Sequence, residues 1–146
     1  MTRATRSVHP LHPGLGALAV SAGGAIGAVA RWALESASPG VAGQFPWVTF
    51  AINVVGSALL AALPLLPAAR RHAWVGLLLG TGVLGGFTTM STASVETFAL
   101  LDDHHVTLAL TYVLGTLGAA LVAVVAIDRL TTLAERARAE DEGWDE

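Results

Sequence analysis

Read by hydropathy, the chain is four long apolar runs joined by short polar segments. The runs cover residues 15–34, 47–66, 73–101 and 106–127. Each is long enough to cross a bilayer as a helix, which takes roughly 20 apolar residues. The first run has the outline of a signal peptide, because basic residues precede it. It continues through Arg31 into Trp32 and three more runs follow, which favours a transmembrane helix. Residues 36–46, rich in Gly, Ser and Pro, make the first loop. Pro64 and Pro67 close the second run, and Arg70, Arg71 and His72 fill the next loop. Residues 102–105 form a short turn, and Asp128 and Arg129 close the fourth run. No strand is expected. The pattern predicts an all-α membrane protein with four transmembrane helices over residues 14–128. A polar segment, 1–13, precedes them, and an acidic tail, 129–146, follows as a solvated, partly disordered end.

The third run departs from a simple span. As one straight helix, residues 73–101 would be about 43 Å long, against a hydrocarbon core of roughly 30 Å. Inside it residues 85–94 read G-G-F-T-T-M-S-T-A-S, with five hydroxyls in seven positions after the paired glycines and Phe87. Paired glycines weaken a helix, and Ser and Thr compete for its backbone hydrogen bonds. Irregular backbone at membrane depth survives only where protein buries it or where it lines a polar cavity. The third helix is therefore expected to break near Gly85 to Ser94 and to offer carbonyls and hydroxyls to an ion. The same composition suits a Ser/Thr helix interface without an ion, and composition leaves both readings open. Gly23 and Gly27, and Gly76, Gly80, Gly82 and Gly86, are spaced for close helix contact.

Composition agrees with the membrane reading. The chain is 53% hydrophobic and 13% charged, with a mean hydropathy of +0.62; soluble domains carry about 25% charged residues. Its 146 residues make a single bundle that encloses little by itself, so an oligomer is expected. The absence of cysteine excludes disulfides, thiol catalysis and Cys-based metal sites. All eight basic residues are arginine, and the net charge of −3 arises in the tail. Four spans place both termini on one side, together with Arg3, Arg6, Arg70, Arg71, Arg129, Arg136 and Arg138. The other side has only Arg31, near a helix end. The positive-inside rule then puts both termini in the cytoplasm of a multi-pass plasma-membrane protein.

No enzyme constellation is present, and no nucleic-acid partner is expected. His9, His12, His72, His104 and His105 lie at span ends or in loops. His104 and His105 beside Asp102 and Asp103 have the chemistry of a metal site, but a solvated turn has the same composition. Thr49, Asn53 and Ser57 share one helix face. Asn53 can serve as an anion donor or as interhelical glue. Arg31 can set a positive vestibule or simply snorkel. Glu96, the one carboxylate close to the membrane interior, can partner a donor or sit at the interface. Thr107 and Thr111 share one face of the fourth run, and Tyr112 and Thr116 another.

Together these stretches resemble the CrcB-type fluoride channels (Fluc). G-G-A-I-G-A-V-A-R-W from Gly23 is similar to that family's glycine-rich first span ending in arginine. T-F-A-I-N-V-V-G-S from Thr49 resembles T-x-x-x-N-x-x-G-S. G-V-L-G-G-F-T-T-M-S-T-A-S-V-E from Gly82 resembles G-x-x-G-G-x-T-T-F-S-T-F-S-x-E, and Tyr112 with Thr116 is similar to Y-x-x-x-S. The match runs over about residues 20–125 in order and spacing. The resemblance implies an antiparallel dimer with two fluoride pores. It also implies a central sodium ion, structural and not transported, held by the backbone carbonyls of Gly85 and Thr88. Fluoride is small and strongly hydrated, so its pore must replace water with donors yet release the ion. The candidates are Asn53, Ser91, Thr92, Ser94, Tyr112 and Thr116, with Arg31 in the vestibule.

The chain departs from the signature at two positions. Met90 and Ala93 stand where the family presents phenylalanine ring edges, and Met90 offers only a soft, weakly positive methyl. The leading expectation is a fluoride channel subunit that lowers cytoplasmic fluoride by passive efflux. A non-conducting partner in a heterodimer with a paralogous subunit is the alternative that the missing rings keep open. A small four-helix multidrug exporter ranks below both, since it needs an ionisable residue deep in its site and residues 15–30 contain none.

Overall fold

The computed structural model describes residues 13–143, with side chains to residue 133. Helix α1 (Pro13–Ala37) leads through a loop into α2 (Trp47–Ala62). A 3₁₀ turn, Leu63–Leu65, ends this span, and the short helix α3 (Pro67–Arg71) follows. Pro64 is the second residue of the turn and Pro67 the first of α3, positions where a missing amide costs nothing. The third span is composite. It runs through α4 (Ala73–Gly76), a π-helical stretch at Leu77–Leu84 and α5 (Gly85–Phe87), then two extended residues, Thr88 and Thr89, and finally α6 (Met90–Asp102). Helix α7 (Val106–Gly143) closes the fold. The described residues contain no strand, and four helical units, Pro13–Ala37, Trp47–Leu65, Ala73–Asp102 and Val106–Leu133, are long and apolar enough to cross a membrane. The expected all-α, four-span architecture is the observed one.

The two halves of the third span pack on different neighbours. The π-helical stretch and α5 lie along α1, while α2 and α6 lie along α7. Small residues set the first contact. A Cβ on Gly23 would meet the Leu78 carbonyl and come within 2.9 Å of the Gly82 Cα, and one on Gly27 would strike the Val83 carbonyl. Gly86 faces Gly24 across the same seam. Without side chains between them the backbones approach closely, as the spacing of Gly23, Gly27, Gly82 and Gly86 predicts. Gly76 does not join this seam, its nearest neighbour being the Ala69 carbonyl at 3.8 Å, and Gly80 faces Leu63 of the second span.

The break falls at Thr88 and Thr89, inside the expected stretch Gly85–Ser94, and regular helix resumes at Met90. Two features differ from the sequence reading. The π-helical stretch upstream has no counterpart in the sequence reading. The fourth helix does not stop at Asp128 and Arg129 but continues to Gly143. Residues 119–142 contain neither glycine nor proline, so nothing in the chain interrupts the ladder there. Segments 1–12 and 144–146 lie outside the described residues.

Candidate functional site

Asn53 builds the break. Its Oδ1 accepts from the Thr89 amide at 2.8 Å, and its Nδ2 donates to the Thr89 carbonyl at 2.9 Å. One amide side chain on α2 thus satisfies both backbone groups of an extended residue, which would otherwise be costly away from water. The flanking turns are closed locally. The Thr88 amide and hydroxyl both donate to the Leu84 carbonyl, each at 3.0 Å. Thr89 caps α6, its Oγ1 accepting from the Thr92 amide at 3.1 Å, a preferred role for threonine.

These bonds leave specific carbonyls without their helical donors. The amide four residues beyond Gly85 belongs to Thr89, and Asn53 holds it. The amide four beyond Thr88 belongs to Thr92, and the Thr89 hydroxyl holds it. The Gly86 carbonyl accepts from Arg31 Nε at 3.4 Å. A helix end with unclosed carbonyls favours a cation, so Gly85 and Thr88 fit the sodium ligands named from the sequence.

Below the break opens a groove of about 520 Å³ between α2, α6 and α7. The restart of α6 at Met90 sets its phase, so Met90, Ala93, Ser94, Thr97, Phe98 and Leu101 make one stripe along it. Asn53 and Ser57 line it from α2, and Val113, Thr116 and Leu117 from α7. Met90 is 70% exposed and Phe98 69%. Most hydroxyl protons in the groove are committed. Ser94 donates to the Met90 carbonyl at 2.8 Å, Thr97 to the Ala93 carbonyl and Thr116 to the Tyr112 carbonyl, both at 2.7 Å. The Ser57 hydroxyl has no hydrogen-bond partner among the described residues.

Tyr112 lines the groove from α7 while buried from solvent, and its hydroxyl donates to Glu96 Oε2 at 2.6 Å. Thr49, 1% exposed, donates to Glu96 Oε1 at 2.7 Å. Glu96 therefore ties α2 and α7 to α6, and its role as a partner for donors is the one realised. Phe45 meets the Tyr112 ring edge to face, with centroids 5.4 Å apart and planes at 84°. This packing of Phe45, Phe50, Leu100 and Ala109 around Tyr112 is the core beneath the site.

The sequence-named residues thus separate. Asn53, Met90, Ser94, Tyr112 and Thr116 meet at the groove. Ser91 and Thr92 do not line it; their hydroxyls gather on Thr89 Oγ1 at 3.2 and 3.0 Å. Arg31 is also elsewhere, paired with Glu35 at 3.3 Å on the α1 side of the break. Sequence reasoning left out Ser57, Thr97 and Phe98 as site residues. A helix restarted after an N-cap at Thr89 gives the stripe at 90, 94, 97, 98 and 101 directly. Residues 102–105 join α6 to α7 as a turn, and no three His, Asp or Glu side chains among the described residues are grouped for a metal.

A four-span helical membrane protein, with its third span interrupted by two extended residues beside a polar groove, is the class this geometry defines. The chain belongs to the CrcB family: residues 18–127 match "CrcB-like protein, Camphor Resistance (CrcB)". Among its relatives is the fluoride-specific ion channel FluC 1 of Mycolicibacterium paratuberculosis, 44% identical over 108 residues, covering 73% of this chain and 82% of that protein. FluC 2 of Nocardia farcinica is 42% identical over 123 residues, 81% of this chain and 85% of that one. FluC of Agrobacterium fabrum is 43% identical over 114 residues, 73% and 88% of the two chains.

Proposed function

We propose that this chain is a subunit of a fluoride-specific ion channel, not an enzyme, that lets cytoplasmic fluoride leave down its gradient. The observation that carries the reading is identity of 42–44% to proteins named as fluoride-specific channels, across most of both chains. The groove adds a physical route. An anion in it meets the second N–H of Asn53, the free hydroxyl of Ser57 and the exposed methyl of Met90, part of the set that must replace its water without trapping it. Dehydrated fluoride is the small anion best matched to such short-range donors. A structural sodium ion held by the Gly85 and Thr88 carbonyls would neutralise the carbonyl ends at the break, and it is not transported.

The transmembrane unit, residues 14–128, works in the plasma membrane with both termini cytoplasmic. It forms an antiparallel dimer, and the partner is a paralogous subunit. The arginine division of seven to one favours a fixed orientation, and an antiparallel pair of fixed subunits needs two different chains. Met90 and Ala93 in place of the ring-bearing residues support the same reading, since one of two pores can lose its rings while the other keeps them.

The test is fluoride and chloride efflux from liposomes containing the purified chain, alone and with a co-expressed paralogue, read with ion-selective electrodes. Fluoride efflux without chloride efflux is the expected result, stronger with the paralogue. Chloride efflux at the same rate would refute selectivity. Equal labelling of loop cysteines from both membrane faces, with full activity of the chain alone, would refute the heterodimer.

A further inference from the structure

The break, the cation ligands and the groove meet at one side chain. Asn53 Oδ1 holds the Thr89 amide at 2.8 Å and Nδ2 holds the Thr89 carbonyl at 2.9 Å. We infer that Asn53 is the positioning residue of the cation site: it withholds the Thr89 amide from the Gly85 carbonyl and so keeps that oxygen unclosed. The inference rests on the reading that a monovalent cation binds at the break.

The physical reason is competition for one proton. The third span is helical from Ala73 to Phe87, and one more α-helical bond would run from the Thr89 amide to the Gly85 carbonyl. Backbone groups in hydrocarbon take whatever partner is offered. Asn53 offers the amide an acceptor and supplies a donor to the Thr89 carbonyl as well, so the extended conformation leaves neither group bare. An amide nitrogen carries two protons. One is bound to Thr89, and Asn53 also lines the groove, where the other is available to an anion. The acceptor end of Asn53 therefore serves the cation and its donor end the anion, and the two roles are separable by substitution. Asn53→Asp keeps the shape and the acceptor but removes the donors. Asn53→Leu removes both.

The test measures unfolding midpoints of the full-length protein in its native oligomer as sodium replaces N-methylglucamine at constant ionic strength, with fluoride flux in parallel. Wild type is expected to be stabilised by sodium. Asn53→Leu should raise the half-saturating sodium concentration at least tenfold. Asn53→Asp should stay within threefold of wild type, or bind tighter, while its fluoride flux falls at least a hundredfold. Ser57→Ala, which alters the groove and no bond at the break, should leave the sodium response unchanged. Wild-type sodium affinity in Asn53→Leu overturns the inference. If that variant does not fold, loss of sodium affinity in Asn53→Asp overturns it instead. A wild-type protein indifferent to sodium removes the cation reading and this inference together, and leaves the fluoride reading standing.

Discussion

Tyr112→Phe separates a pore role for the tyrosine hydroxyl from a structural one. The substitution keeps the ring and its edge contact with Phe45, 5.4 Å between centroids, and deletes only the oxygen that donates to Glu96 at 2.6 Å. Hydrogen bonds between membrane helices average about 0.6 kcal/mol and reach about 1.7. This one belongs near the upper end, because Tyr112 is 0% exposed and the neighbouring donor to the same carboxyl, Thr49, is 1% exposed. A bond of about 1.5 kcal/mol is lost, and leaving Glu96 Oε2 short of a donor adds about 1 kcal/mol. The expected cost is about 2.5 kcal/mol, roughly 70-fold in the folding equilibrium. Unfolding of purified protein in mixed micelles, titrated with dodecyl sulfate, reads it. At a temperature where the variant is folded, fluoride flux should remain at least a third of wild type. Unchanged stability with flux abolished would show that the hydroxyl serves the anion and would refute the network argument.

Other outcomes follow from the same contacts. Gly27→Val should destabilise by about 1–3 kcal/mol through overpacking, since its Cβ meets the Val83 carbonyl, whereas Gly24→Ala, with nothing within 4 Å, should be near neutral in the same titration. Thr89→Ala should cost about 1 kcal/mol by removing the cap of α6, and Thr89→Ser should restore it; equal stability of the Ala and Ser variants would refute the capping role. Ser57→Ala should lower fluoride efflux about tenfold without changing the unfolding midpoint, because the hydroxyl it deletes faces the groove and holds nothing in the fold.

The spans were legible because burial in lipid is written residue by residue. The four apolar runs become Pro13–Ala37, Trp47–Leu65, Ala73–Asp102 and Val106–Leu133, within a few residues of their expected ends except at the last. The Gly23 and Gly27 seam was legible for a related reason, as close backbone approach requires small residues at fixed spacing. The break lies inside the stretch expected for it. Ser and Thr at 91, 92 and 94 read as irregular from composition, yet Thr89 is a good cap and its choice fixes where helix resumes. That phase also explains why Ser94 reaches the groove while Ser91 and Thr92 do not. Thr49, Asn53 and Ser57 share a face as expected, but what each one meets depends on the third and fourth spans. Thr49 goes to Glu96, Asn53 to Thr89 and Ser57 to the groove. The π-helical stretch packs on α1, and no residue type announces it.

On the proposed function, the groove of one subunit offers an anion few free protons. Ser94, Thr97 and Thr116 return their protons to carbonyls of their own helices, and Tyr112 gives its proton to Glu96. Two donors on α2 remain, one N–H of Asn53 and the Ser57 hydroxyl, one turn apart. A small anion sheds several waters on entering such a space and needs more than two replacements. On the proposed function, the remaining contacts come from the open side of the groove, where Met90 and Phe98 stand 70% and 69% exposed. Those side chains are apolar, so in lipid they need no cover for their own sake. What needs cover is the polar floor beneath them, with Asn53 and Ser57. A partner helix that brings hydroxyls or ring edges to that floor satisfies both demands at once, and lipid tails satisfy neither.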